Sequence, residues 1–163
     1  MRRGSPRRPS SREPARGYTF VALLALVAIL SIGLSVAGPA WSSAERRHRE
    51  RELLRIGALY AQALAAYHEG SPGTLKTFPR TLGELALDPR FVGVRRHLRT
   101  LYPDPLDPSR PWGLVKDIDG RITGVYSQSE DAPIAEGSVA IGALVLPPAR
   151  RYADWKFIAL LPT

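Results

Sequence analysis

Residues 20–37 read FVALLALVAILSIGLSVA, an unbroken apolar run that limits what the rest of the chain can be. The run holds no charged residue and only two serines. As an α-helix, eighteen residues span about 27 Å, just enough to cross the hydrocarbon core of a bilayer. A helix of a soluble protein is rarely apolar on every face, because one face usually meets water. The run, with Trp41 placed to meet the interface, predicts a transmembrane helix segment over residues 18–40.

The positive charge of the chain lies mostly in front of this run. Six arginines and one glutamate fall within the first sixteen residues, and without them the formal charge drops from +8 to +3. Basic residues before an apolar segment hold that end in the cytoplasm during insertion, which explains the arginines without a polyanion. Residues 1–17 are therefore predicted to be a basic cytoplasmic leader, and no nucleic-acid partner is expected.

Residues 41–70 change character and predict an amphipathic helix. Ser42 or Ser43 can cap its start, while Gly70 and Pro72 mark its end. With so little between the two helical segments, we expect one long helix with a bend at Pro39. The charged run 45–52 is expected to be solvated. Apolar residues recur at three- and four-residue steps, which is typical of a buried helix face: Leu53, Ile56, Tyr60, Leu64 and Tyr67.

Residues 71–163 are predicted to form a globular α+β domain with short elements. A capping-box pattern at Thr81–Glu84 predicts a short helix, and a second helix is expected over Phe91–Leu101. Alternation around Asp119 and Gly120 predicts a β-hairpin near residues 112–127. The runs Val139–Leu146 and Trp155–Leu161 are candidate strands. This order predicts a long N-terminal helix, membrane-spanning in its first half, packed on a small antiparallel sheet.

No catalytic constellation is found in the sequence, so an enzyme is not predicted. The chain has no cysteine, and it has no serine-hydrolase, phosphate-loop or metalloprotease motif. Its three histidines, His48, His68 and His97, form no ligand pair at helical spacing. For His48 and His68, surface positions are expected.

No cofactor is predicted, although calcium stays open as an alternative at two acidic segments. Asp117, Asp119 and Gly120 faintly resemble a calcium loop, but a turn-forming Asp-Gly pair explains the same residues. A second oxygen-rich cluster comprises Ser129, Glu130, Asp131 and Glu136.

The N-terminal segment resembles the cleavage and methylation segment of type IV prepilins and type II secretion pseudopilins. The resemblance is carried by Gly17, Tyr18, Thr19 and Phe20, between a short basic leader and the apolar run, and by Pro39, where many pilins have a helix-bending proline. Downstream, YPDP, WGLVKDIDGRITGVYSQS and YADWKFIAL are similar to the soluble domains of type II secretion subunits of Gram-negative bacteria.

The resemblance implies processing, partners and location. A prepilin peptidase would cut between Gly17 and Tyr18 and N-methylate Tyr18. The implied protein is a single-pass subunit of the bacterial inner membrane, with a cytoplasmic leader and a periplasmic C-terminal domain. It would take part in filament assembly and protein export with other pilin-like subunits and the inner-membrane assembly platform.

One position departs from the family pattern. Most such subunits carry a glutamate five residues into the mature chain, where this sequence has Ala22. In the family this glutamate is thought to pair with the terminal amine of a neighbouring subunit. Members without it are typically minor, tip-located subunits, so the resemblance favours a minor pseudopilin.

Two other interpretations of the N-terminus remain open. The first forty residues are also compatible with a secretory signal cut near Ala37 or Ala40, which would leave a soluble periplasmic binding module. Alternatively, an uncut leader would make the chain a signal-anchored envelope scaffold. The three hypotheses differ in the residue at which the mature protein begins.

Overall fold

A computed structural model describes the backbone of residues 15–161 and the side chains of this range except those of residues 15–17 and 32–42. Within the described backbone, two α-helices come first, α1 (Ala15–Glu69) and α2 (Gly83–Ala86). The remaining elements are β1 (Gly113–Lys116), β2 (Ile122–Tyr126), β3 (Val139–Ile141), β4 (Leu144–Leu146), a 3-10 helix (Tyr152–Asp154) and β5 (Phe157–Ile158).

The chain divides into two compact units, and the boundary along the sequence falls between Ser43 and Ala44. In the first unit, all the described residues belong to α1. The second unit contains the remainder of α1 together with every other helix and strand named above. The backbone is helical through Pro39, as expected for one long helix, whereas the proline side chain lies outside the described residues.

The core of the second unit lies between α1 and the strands, which makes it an α+β fold with helices packed on small antiparallel sheets. The sequence prediction for the buried face of α1 is confirmed. Its five periodic residues are at most 4% exposed. Tyr60 anchors this face, because its hydroxyl donates to the Tyr102 carbonyl and accepts from the Tyr102 amide, both at 3.0 Å. Its ring also packs on Trp112, 5.4 Å between centroids.

The larger sheet has the order β1-β2-β5, and both pairings are antiparallel. Strands β1 and β2 form a hairpin whose turn contains Gly120 at φ +74°, a conformation that glycine adopts without strain. The Asp117 carboxylate fixes this turn by accepting the Asp119 and Arg121 amides at 2.9 and 2.8 Å. Asp117 thus acts as a turn residue.

Two strand predictions need correction. The run Val139–Leu146 is not one strand but a second hairpin, β3–β4, because Gly142 at φ +58° reverses the chain after Ile141. The terminal run, expected as a strand over Trp155–Leu161, pairs with β2 only at Phe157 and Ile158.

The helix predicted over Phe91–Leu101 is absent, so that prediction was wrong. Gly93 has φ +110°, which no α-helix accommodates. The amides of His97 and Leu98 donate to the carbonyl of Leu85 in α2 at 2.8 and 2.9 Å, so they are not part of a separate helix. The segment is consequently a loop held against the end of α2.

The capping box predicted at Thr81–Glu84 forms only in part. The Glu84 carboxylate accepts the Thr81 amide at 3.2 Å, as expected. The Thr81 hydroxyl lies 3.3 Å from the same carboxylate instead of capping the helix, and Leu82 is the N-cap residue. Helix α2 therefore begins at Gly83 and spans a single turn.

Candidate functional site

The apolar part of α1 presents its large side chains outward. Over the described residues 18–31, every residue is exposed, including Tyr18 at 79% and Phe20 at 62%. The hydroxyl of Ser31 donates to the Val27 carbonyl at 2.7 Å, so this polar group is satisfied inside the helix. A helix surface that is apolar on all sides suits contact with lipid or with other apolar helices.

In the part of the chain that the structure describes, no helix is both long and apolar enough to cross a membrane. The predicted apolar span reaches residue 37, and the side chains of residues 32–37 lie outside the described residues.

The predicted processing residues lie at the start of α1. Gly17 and Tyr18 belong to its first turn, and Ala22 is exposed one turn further along. Most of the predicted leader, residues 1–14, lies outside the described residues. The cleavage and methylation assignments therefore stay predictions.

Sequence reasoning missed the role of Glu50. The run 45–52 was expected to be solvated throughout, but Glu50 is 8% exposed. One of its carboxylate oxygens accepts both the Tyr152 hydroxyl at 2.7 Å and the Ile134 amide at 2.6 Å. Burial and this carboxylate raise the pKa of Tyr152. The sequence position of Glu50 could have predicted this burial, because Glu50 lies three residues before Leu53 and so falls on the buried face of the helix.

A second buried cluster surrounds Asp88, whose side chain is fully buried. Its carboxylate accepts two bonds from the Arg90 guanidinium, at 2.9 and 2.7 Å, and lies 3.0 Å from His97 Nε2. Hydrogen bonds from Arg90, then from His97, hold the pKa of Asp88 well below its usual range despite its burial.

Arg90 connects this cluster to the C-terminal end of α1. Its guanidinium lies over the Tyr67 ring at 3.5 Å, and it donates to the Ser71 hydroxyl at 2.6 Å and to the Tyr67 carbonyl at 2.8 Å. The Tyr67 hydroxyl donates to Glu84 at 2.6 Å, and burial together with that bond raises the pKa of Tyr67. With its polar groups occupied, the cluster stabilises the fold and offers no free acid or base.

The three histidines have separate environments. His48 is exposed on α1, whereas His68 packs on the Phe78 ring at 4.5 Å and is half-buried. His97 is nearly buried beside Asp88. Among the described residues, no group of three histidine, cysteine or carboxylate side chains could hold a metal ion.

The second oxygen-rich cluster, between residues 129 and 136, also forms contacts within the fold. Glu130 pairs with Arg151 at 2.7 Å, and the Asp131 carbonyl accepts the Tyr152 amide at 3.0 Å. Ser129 Oγ accepts the Asp131 amide at 3.3 Å, while Glu136 is exposed. These contacts attach the segment to the 3-10 helix.

An apolar groove of about 290 Å³ lies between α1 and the β3–β4 hairpin. Small helix residues such as Ala58, Ala61 and Ala65 form its floor, and Leu144 and Leu160 form its sides. This lining can accept an apolar side chain, but it does not bring together a nucleophile and a base.

Comparisons with protein-family models, with curated proteins and with solved structures found no match for this chain.

Proposed function

We propose that this chain is a pilin-like structural subunit of a type II secretion pseudopilus, with a role in filament assembly and protein export. The observation that carries the proposal is the exposed apolar surface of α1 over residues 18–31, which begins directly after Gly17. Such a surface needs lipid or neighbouring helices to cover it. A pseudopilin encounters both in turn, the membrane before assembly and other subunits' helices afterwards.

The second unit supports the same proposal at the level of architecture. An N-terminal helix whose apolar face covers a small antiparallel sheet is the arrangement that the resemblance implies for the periplasmic domain. The polar groups around Glu50 and Asp88 form hydrogen bonds and an ion pair within the fold, which favours a structural role over a catalytic one. We therefore propose a pilin-like fold without enzymatic activity.

Ala22 narrows the proposal to a minor subunit. It is exposed and carries no carboxylate, so it cannot form an ion pair with the terminal amine of a neighbouring subunit. A filament position in which that pairing is not needed, such as the tip, suits this residue.

The N-terminal mass of the protein isolated from its native membrane tests this proposal. Processing by prepilin peptidase would give a mature chain that starts at N-methylated Tyr18. Replacing Gly17 by glutamate should leave the leader attached, while the same replacement at Gly4, inside the leader, should not. An intact leader on the wild-type protein would contradict the processing.

A second candidate is a periplasmic binding module released by signal peptidase. It is favoured by the position of the unit boundary, because the unit beginning at Ala44 contains the buried core and follows shortly after Ala37 and Ala40. The same mass measurement decides it, since release would give a start near residue 41. An uncut scaffold would keep residues 1–17 attached to the mature chain.

Assembly itself is tested by crosslinking in native membranes. The pseudopilin proposal requires crosslinks between this chain and other pilin-like proteins. If a correctly processed protein crosslinks to no pilin-like partner, the assembly role is wrong although the processing is right.

A further inference from the structure

Four large apolar side chains of the second unit are far more exposed than the others, and all four lie in loops. Val92 and Ile118 are fully exposed, Leu75 is 82% exposed and Val94 is 74% exposed. Among the described residues of this unit, no other large apolar side chain exceeds 64%. A single exposed apolar residue is ordinary, but a concentration of them in one region marks a site of interaction.

The loops that carry these side chains converge at the last turn of α1. The Ser71 hydroxyl accepts a hydrogen bond from the Arg90 guanidinium at 2.6 Å, which joins the first loop to the second. The Arg121 guanidinium of the β1–β2 turn donates to the Phe78 carbonyl at 2.9 Å, and the Phe78 ring packs on His68 in that last turn. We call this region the loop end of the second unit, which comprises residues 71–77, 88–99 and 117–121.

Hydrogen bonds at their bases hold all three loops in defined shapes. The Lys76 ammonium group donates to the Glu69 carbonyl of α1 at 2.7 Å. The Asp88 amide donates to the Arg95 carbonyl at 2.9 Å and closes the second loop, while Asp117 fixes the third. A surface that is ordered before binding loses less conformational entropy when a partner docks on it.

The exposed charge of the loop end is mostly positive and is not neutralised by the fold. Arg95 lies over the Phe91 ring at 4.3 Å, whereas Arg96 and Arg99 extend from the same loop as Val92. One exposed carboxylate, Asp119, follows Ile118 directly in sequence. Within the described part of the chain, no ion pair involves any of these charged side chains.

This mixture of charges favours a protein as the partner. A nucleic acid or an anionic lipid layer presents negative charge throughout, which would repel Asp119 next to the fully exposed Ile118. The residues that proteins place at a lipid interface, tryptophan and tyrosine, do not occur in the loop end. A protein surface can set carboxylates against the arginines and a cation or donor against Asp119.

A second copy of this chain does not offer the matching surface. Two loop ends facing each other would set arginines against arginines, which is repulsive. Elsewhere in the second unit, five carboxylates already pair with arginines of the same chain. These carboxylates are Glu45, Glu52, Asp107, Glu130 and Asp154.

We propose that the loop end is a docking surface for a different protein, whose surface offers apolar pockets bordered by carboxylates. Val92, Val94 and Ile118 fill the pockets, and Arg96 and Arg99 pair with the carboxylates. The inference concerns the second unit alone, so it applies at whichever residue the mature chain begins.

The test is site-specific photocrosslinking of the full chain in its native cells. The photoreactive residue p-benzoylphenylalanine is placed at Val92, at Ile118 or, as a control, at Val145, which is an exposed apolar residue of β4. We expect positions 92 and 118 to crosslink to the same protein, within segments rich in aspartate and glutamate. Position 145 should not give this product.

Charge reversal then tests the pairing. R96E/R99E should lower the crosslink from position 92 at least tenfold, because like charges would face each other. The matched control R47E/R150E reverses two exposed arginines outside the loop end and should leave the yield unchanged. Replacing the partner's crosslinked carboxylates by lysine should restore the product with R96E/R99E. Unchanged thermal unfolding shows that both double variants remain folded.

Several results would overturn the inference. They are crosslinks from positions 92 and 118 only to lipid or to other copies of this chain, no crosslinks at either position, the same product from position 145, or equal losses in the two double variants. A partner segment without carboxylates would also refute it, because the arginines would then have no matching charge.

Discussion

At the scale of single residues, Gly57 shows how packing overrides helix propensity. It lies in the interior of α1, where glycine costs about 1 kcal/mol relative to alanine. A Cβ at this position would lie 2.4 Å from the Phe157 ring, which is fully buried. Gly57 therefore lets β5 approach the helix backbone.

We expect Gly57→Ala to destabilise the second unit by about 1 to 2 kcal/mol, because overpacking outweighs the gain in propensity. Urea unfolding followed by the fluorescence of the buried Trp112 and Trp155 measures this change. Gly83→Ala is the control, since its Cβ would meet nothing closer than 3.7 Å and it should be neutral or stabilising. A stabilised Gly57→Ala protein would refute the packing argument.

At the scale of elements, Glu50 joins three segments of the second unit. It connects α1 to the loop at Ile134 and to the 3-10 helix at Tyr152. Removing a carboxylate that accepts two hydrogen bonds leaves both donors in a poorly hydrated site.

Glu50→Ala should lower the free energy of unfolding by about 2 to 3 kcal/mol. Glu45→Ala removes an exposed carboxylate from the same helix and should cost about 0.5 kcal/mol or less, although it breaks the pair with Arg49. Hydrogen exchange should also locate the effect, with faster exchange at the Ile134 amide in the Glu50 variant only. Equal losses in the two variants would show that Glu50 is not a connecting residue.

The β3–β4 hairpin depends on the backbone of Gly142. Valine at φ +58° is strained, and we expect Gly142→Val to cost about 1 to 2 kcal/mol. Gly137→Val is the matched change, because Gly137 has open space around it and no positive φ. Thermal unfolding compares the two variants, and a smaller shift for Gly142→Val than for Gly137→Val would contradict the assigned turn.

At the scale of the whole molecule, the buried titrating groups determine how stability depends on pH. The folded state lowers the pKa of Asp88 from 3.8. Its contribution to the free energy of unfolding is therefore complete above pH 3.8 and is lost as the pH falls below that value. The folded state raises the pKa values of Tyr67 and Tyr152 above 10.0. Their contribution to the free energy of unfolding is therefore complete below pH 10.0 and is lost as the pH rises above that value.

We therefore expect these groups to give a broad stability plateau between about pH 4 and pH 10, with a decline on each side. Asp88→Asn should flatten the acid decline, and Tyr152→Phe should flatten the alkaline one, as measured by urea midpoints across pH. If Asp88→Asn leaves the acid decline unchanged, other carboxylates dominate it.

Much of the architecture follows from local pattern in the sequence. The buried face of α1 and the β1–β2 hairpin were predictable, because helical periodicity and an Asp-Gly turn depend on neighbouring residues alone. The missed features depend on long-range contacts: Glu50 meets residues more than eighty positions away, and the 91–101 segment is a loop because its amides bond to Leu85.

The sequence by itself determined the apolar run, the basic composition of the first sixteen residues and the α+β class, since charge and periodicity are properties of the chain. Only the tertiary structure decided that Glu50 turns inward, that Asp88 is paired with Arg90, and that Val139–Leu146 folds back on itself. The physical reason is that burial is collective. Whether a polar group is desolvated depends on which distant segments pack over it, and short-range pattern does not contain that information.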